Sequence, residues 1–320
     1  MEAKADVTWS LNAQVMEAEA IAHAYVGPTN PFESAPPRAA SASRPRRVWR
    51  WLRRAGNFQI LFGAGGIIVL LGICLFVPTP FNPTTPIPNL SLAAPNGTHF
   101  FGTDVLGRDV LSRMMAAGRT DIPLVLGAAL FSMIVGVIIG MLVSTKSKWS
   151  ERGMRVLDLF QAFPGIVLLI VLVTVAGQSV LVLMSVIAII YGPLFGRLIR
   201  AEALAIRESR YMEAAVAIGA SVPRQLVRHL LPNVTNIILV QFALTASRGV
   251  LILAGLSFLG FGPAPPTPSW GTMISDGQQY LTAGDWWLFI LPGIPIVLVG
   301  MFFYQLSLGL ETVLGRGSRG

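Results

Sequence analysis

Glu213-Ala-Ala-Val-Ala-Ile-Gly219, followed by Ser221-Val-Pro223 and then by Leu230-Leu-Pro-Asn233, forms a polar, basic island between long apolar segments. Helix-favouring residues run from about Glu208 to Ile218, and Gly219 stands where a helix end wants a residue free to take positive φ. Ser221 is placed to cap a second short helix with Pro223 in its first turn. The local expectation is helix, sharp turn, helix. Ala214, Ala215, Ala217 and Ala220 leave little bulk, so another surface can approach the backbone closely. The plainest alternative is an ordinary connector between two membrane helices.

Outward from this island the chain is too apolar for a water-soluble domain: 53% of its 320 residues are hydrophobic and 12% charged. The net charge of +8 would suggest nucleic acid if the basic residues shared one surface, but they lie in short loops between apolar runs. Cys74 is the single cysteine, so no internal disulfide forms. His23, His99 and His229 are far apart and outline no metal cluster. No cleavable signal peptide is expected, because the first strongly apolar run starts near Phe58.

Residues 1 to about 57 lack periodicity, and the proline-rich part from Gly27 to Pro45 reads as disordered. Arg44, Arg46, Arg47, Arg50, Arg53 and Arg54, with Trp49 and Trp51 interleaved, read as a headgroup-level anchor in preference to a nucleic-acid or specific lipid site. Phe58 to Val77 is uncharged and long enough to cross ~30 Å of hydrocarbon at ~1.5 Å per residue. Further apolar runs span about Ile122–Ser144, Val156–Ala176, Val180–Gly196, Val234–Phe258 and Trp287–Leu310; the third and fourth, hinged at Gly177-Gln-Ser179, are near the lower length limit. Six crossings put both termini on one side. Of 24 Lys and Arg, 20 fall in the tails, the second-to-third loop and the Glu213 loop, against Arg108, Arg113 and Arg119 on the other face and Arg248 inside a crossing. Positive residues stay cytoplasmic, so both termini and the Glu213 loop are expected inside.

Gly102-Thr-Asp-Val-Leu-Gly-Arg-Asp-Val-Leu-Ser-Arg113 lies just before the second crossing, on the outer side. Thr103 is placed to cap a helix there, with Asp104–Arg108 and Asp109–Arg113 as i,i+4 pairs and Leu106, Val110 and Met114 as an apolar stripe. This predicts an amphipathic helix at the outer interface.

The island resembles the cytoplasmic "EAA" loop of ABC-importer permeases, with Glu213, Ala214, Ala215, Gly219, Leu231 and Pro232 at the matching positions. Gly102–Arg113, Met154-Arg-Val-Leu-Asp158 with Ala162-Phe-Pro164, His229-Leu-Leu-Pro-Asn233, and Gly255-Leu-Ser-Phe-Leu-Gly260 leading to Pro265-Pro-Thr-Pro-Ser-Trp-Gly271 are similar to the C-type permease of dipeptide and oligopeptide importers. The resemblance covers about residues 99 to 310, and the connector reading recedes before it. It implies an all-α integral membrane protein of the type I ABC-importer permease fold, with six transmembrane helices and cytoplasmic termini. Its parts would be a tail (1–57), a first helix and external loop (58–98), an external amphipathic helix (99–121), a core with coupling loop (122–312, loop 201–232) and a short tail (313–320). It implies coupling residues Glu213, Ala214, Ala215, Gly219, Ala220, Pro223, Leu231 and Pro232, and a binding-protein side carrying Asp104, Arg108, Asp109 and Arg113. Partners would be a second, B-type permease, two ATP-binding subunits or domains, an extracytoplasmic peptide-binding protein, a peptide substrate and membrane lipid, with no nucleic acid. No cofactor belongs to this chain; ATP and Mg sit on the partner subunits.

Arg248 departs from that pattern. A mid-membrane Arg costs ~2.5–3.5 kcal/mol on insertion scales unless it meets water or a partner. It faces either the translocation path, attracting a peptide carboxylate, or the companion permease. Gly136-x-x-x-Gly140 and Gly192-x-x-x-Gly196 read as packing positions. Trp270, Trp286 and Trp287 fit an outer aromatic belt or a binding-protein contact. No P-loop is present, since none of Lys4, Lys146 and Lys148 follows the glycine that a P-loop requires, and no catalytic constellation is recognisable, so the chain is expected to be non-enzymatic. Nickel-chelate and glutathione permeases share these motifs. A stand-alone secondary transporter or channel would call for paired intramembrane charges and inverted repeats, which the sequence does not display.

Overall fold

Out of water a backbone must satisfy its own hydrogen bonds, and uncharged runs of this length do so as helices. The computed structural model describes residues 44–144, 151–155, 158, 161 and 163–314, of which 44–55 as backbone only. The chain divides into a short unit, Met1–Trp51, and a main unit, Leu52–Gly320, which holds the helical bundle. The described residues include the helices α1 (Arg44–Phe76), α2 (Val110–Leu142), α3 (Gly165–Ala176), α4 (Val180–Arg207), α5 (Arg210–Ala217), α6 (Val222–Phe258), α7 (Trp270–Gly277) and α8 (Trp287–Leu314). Among the described residues there is no strand, only an antiparallel bridge between Thr103 and Asp109. The protein is all-α, as expected.

Among the described residues, five helices are long and apolar enough to cross a membrane: Gly56–Phe76 within α1, then α2, α4, α6 and α8. The expected third crossing is represented by the twelve residues of α3, which starts after Pro164; residues 156–157, 159–160 and 162 lie outside the described set. So do the proline-rich tail, Lys146, Lys148, Arg316 and Arg319. The fourth helix runs to Arg207, well past the expected Gly196. Arg197 to Arg207 is rich in Leu, Ala, Arg and Glu, which keep a helix going after the apolar stretch ends. The hinge at residues 177–179 is as expected, with Gly177 at φ +92° and the Ser179 hydroxyl accepting from the Val182 N–H.

Lipid is as apolar as leucine, so helices here associate through close packing rather than through burial from water. The seam between α2 and α4 is built that way. A Cβ on Gly136 would meet the Gly192 carbonyl oxygen at 2.7 Å, and one on Gly140 the Gly196 carbonyl oxygen at 2.6 Å. The two small-residue motifs thus face each other. Leu183, Ile187, Phe195, Leu253 and Phe303 are all fully buried in the bundle.

The outer segment before α2 differs from expectation. Residues 102–109 form a tight loop, and the helix starts only at Val110. Gly102 and Gly107 take positive φ (+72° and +74°), which no helix tolerates. Asp104 folds the loop on itself by accepting from the Leu106 and Arg108 N–H groups at 2.9 Å. Thr103 caps nothing; its hydroxyl accepts from the Ala93 N–H and donates to the Leu90 carbonyl. The true cap is Asp109, whose carboxylate accepts from the Ser112 N–H at 2.8 Å. Leu106 is exposed while Val110 is fully buried, so no continuous stripe forms.

Candidate functional site

The Glu213 island folds as an elbow. After α4 ends at Arg207, Ser209 takes the extended conformation of a cap and α5 begins at Arg210, later than Glu208. α5 closes by two reverse bonds, Ala220 N–H to Ala215 O (3.0 Å) and Gly219 N–H to Val216 O (2.9 Å), a Schellman ending. That ending requires a left-handed residue, and Gly219 supplies it at φ +78°. No atom lies within 4 Å of where its Cβ would be. Met212 and Ala215 are buried against Ala203 and Leu230, which fixes α5 to the neighbouring helices. The opposite side presents Glu213, Ala214, Val216 and Ile218 to the surroundings, with Ile218 86% exposed.

Ser221 precedes the next helix, but its hydroxyl makes no capping bond, and that helix is not a separate short one. Val222–Arg224 leads through a π-turn, Gln225–Leu230, straight into Leu231–Phe258, giving one run of 37 residues. Pro232 explains the wider turn: it has no N–H to offer, and its ring crowds the carbonyl four residues back. The Leu231 N–H reaches the Leu226 carbonyl instead. Tyr211 and Asn233 then tie α5 to this turn. The Tyr211 hydroxyl donates to the His229 carbonyl at 3.3 Å; Asn233 Nδ2 donates to the same oxygen at 2.6 Å and to the Tyr211 oxygen at 3.1 Å. Partial desolvation pushes the Tyr211 phenol up from its ordinary value. Gln225 Nε2 donates to the Ala220 carbonyl at 2.7 Å. Pro223 and Pro232 are exposed, Ala220 and Leu231 half-buried. Around the apolar knob, Arg210, Arg224 and Arg228 are exposed. The elbow is therefore a rigid, small-residue surface with an apolar point and a basic rim.

Tyr211 was not singled out in the sequence, and Asn233 was quoted there only as the end of Leu230-Leu-Pro-Asn233, without a partner. An aromatic hydroxyl two residues before Glu213 and an amide just past Leu-Pro were the available signals. The Met154–Asp158 motif gains a partner as well, since Asp158 pairs with Arg197 of α4 at 2.5 Å.

In the loop before α2 the four charged residues come together differently from their expected pairing. Asp104 and Arg108 pair at 2.7 Å as predicted. Asp109 and Arg113 do not. Asp109 is consumed by capping and by His99 Nδ1 at 2.9 Å, while Arg113 turns to Asp104 at 3.4 Å and to Asp276 at 4.0 Å. The i,i+4 rule fails because Asp109 lies before the helix, not on it. Trp270 and Trp287 are buried and Trp286 is 47% exposed, so only the last can serve an interfacial belt. Trp270 Nε1 donates to the Met114 carbonyl at 2.9 Å.

Arg248, in α6, is exposed on the chain. Asp121 in α2 escaped the sequence reading, although an acidic residue at the edge of an apolar run was a visible signal.

Residues 132–310, more than half the chain and including the whole elbow, match the binding-protein-dependent transport system inner membrane component. The chain belongs to that family. It is 33% identical over 255 residues to the dipeptide transport system permease protein DppC of Alkalihalophilus pseudofirmus, covering 78% of this chain and 84% of the relative. Two chains of Brucella suis are similar to it, a putative peptide transport system permease protein (32% over 269 residues; 83% and 89% covered) and a putative peptide permease protein (33% over 277 residues; 85% and 91% covered). The permease is thus a multi-pass membrane subunit of a transport system that includes an ATPase and a substrate-binding protein.

Proposed function

We propose that this permease forms half of the translocation pathway of an ATP-driven importer of di- and oligopeptides, paired with a second, homologous permease. Two ATP-binding subunits supply the hydrolysis, and the chain itself is non-catalytic. An extracytoplasmic binding protein delivers the peptide to the side that carries Asp104, Arg108, Asp109 and Arg113. Both termini and the elbow lie on the cytoplasmic side, in keeping with the distribution of Lys and Arg.

The observation that carries this reading is the elbow. Its Schellman end, its buried Met212–Ala215 face and the Tyr211–His229–Asn233 ties make α5 a solid block whose small, exposed face suits docking on an ATPase. Closure of the ATPase pair by ATP moves that block as a rigid body. The attached α4 and α6 tilt, the cavity opens outward to the loaded binding protein, and hydrolysis returns it inward. Arg248 meets either the peptide carboxylate on this path or the companion permease.

The decisive measurement is uptake of radiolabelled dipeptide into vesicles holding the full assembly. Uptake should require both ATP and the binding protein. Uptake that persists without ATP or without the ATPase polypeptide would end this reading in favour of a stand-alone transporter.

A further inference from the structure

Asp121 is 4% exposed in α2 and belongs to no element of the elbow or the outer loop. Its Oδ2 accepts from the Trp270 N–H at 2.9 Å and from the Ser269 hydroxyl at 3.0 Å, across almost 150 residues of chain. These are the first groups of α7, where the partial positive charge of a helix start favours a carboxylate. Its Oδ1 has no hydrogen-bond partner among the described residues and lies beside an apolar space lined by Val125, Leu253, Ile296 and Val299. Ser269 and Thr272 already form a local capping box, so α7 does not need a distant acid to begin. Burying a half-satisfied carboxylate is costly, and an ionisable group at such a place calls for a role beyond stability.

The connectivity supplies the role. α6 is one helical run from Val222, at the elbow, to Phe258, about 55 Å at ~1.5 Å per residue. From its far end the chain turns at Gly260 (φ +86°) and enters α7, which packs chiefly on α6 and α8. The Ser257 and Ser269 hydroxyls meet at 3.2 Å, binding α7 to the end of that run. α7 is thus tied to the end of α6, and its polar ties to α2 are made at Asp121, at the Met114 carbonyl and through Arg113 to Asp276. We propose that Asp121 is a positioning residue that fastens the outer end of α6, through α7, to α2 at rest, holding ATP turnover low until a loaded binding protein docks. Any displacement of α6 relative to α2 breaks these bonds, so they add to the barrier against idle cycling. The proposal rests on the elbow's coupling role.

The test uses the full assembly in phosphatidylethanolamine–phosphatidylglycerol vesicles, with hydrogen exchange over residues 268–277 and ATP turnover measured with and without dialanine-loaded binding protein. Asp121→Ala should speed exchange of the Trp270–Met273 amides about ten- to a hundredfold with α4 and α8 unchanged. It should also raise basal turnover about fivefold, so that stimulation by the binding protein shrinks. Asp121→Asn, whose amide oxygen accepts the same two bonds, should restore wild-type exchange and stimulation. The proposal is overturned if Ala leaves both readouts unchanged, if Asn is as defective as Ala, or if exchange rises throughout the bundle, the mark of a merely structural residue. Where Ala fails to assemble, Ser269→Ala decides, with a smaller shift in the same direction expected and no shift overturning. A wild-type assembly that ignores the loaded binding protein would sink the importer reading, while the exchange comparison still judges the fastening.

Discussion

The Tyr211 hydroxyl reaches the His229 carbonyl at 3.3 Å, so the short helix carrying Glu213 is pinned to the π-turn at the root of α6. Asn233 reinforces the same oxygen from one turn further on. Two hydrogen bonds to one carbonyl thus tie α5 to the root of α6. Tyr211→Phe should cost about 0.5 kcal/mol, at the low end for a hydrogen bond because the site is partly exposed. The unfolding temperature should barely move, while peptides carried per ATP hydrolysed should fall. An unchanged ratio would show that the Asn233 bond alone holds the joint.

Gly219→Val places a β-branched residue at φ +78°, a strain of about 1–2 kcal/mol confined to the exposed end of α5. The bundle should remain folded by its thermal transition, and the ATPase should detach or idle. Glu213→Arg reverses the charge in the first turn of α5 and should act likewise. Co-purification with the ATPase and normal uptake in both variants would remove the elbow from the coupling path.

Asp109→Ala removes the cap of α2 and leaves His99 buried without its partner. The expected loss is about 2 kcal/mol, cap and orphaned ring together. Limited proteolysis should then cut between residues 78 and 109 faster than in the wild type, with the elbow unaffected.

Arg248→Gln separates the two places left for that side chain. Contact with the companion permease predicts weaker co-purification of that subunit and normal uptake per assembled complex. A pathway role predicts intact assembly with lowered uptake. Unchanged uptake and unchanged coupled ATP turnover would discard the pathway role.

The five long apolar helices were legible because apolar length translates directly into helix, and the elbow because Gly219 and Pro223 punctuate the backbone at fixed places. The Gly136/Gly140 and Gly192/Gly196 seam was legible as packing though not as a mutual contact. The outer loop was misread because charge spacing at Asp104–Arg113 mimics a helix face, while the positive φ at Gly102 and Gly107 depends on contacts with residues 87–93 that lie far back in sequence. Asp121 was visible as an acidic residue at the edge of an apolar run, but its role was not, for a related reason. Its partners, Ser269 and Trp270, are set by tertiary packing, which no local period encodes.

Because no atom of this chain crowds the place of a Gly219 Cβ while its φ is positive, the fold of the elbow itself constrains that position by handedness and not by size. A D-alanine installed there by semisynthesis should leave the elbow intact where L-alanine strains it. The mirror-image side chain fits a backbone that, among the natural amino acids, glycine meets with the least strain.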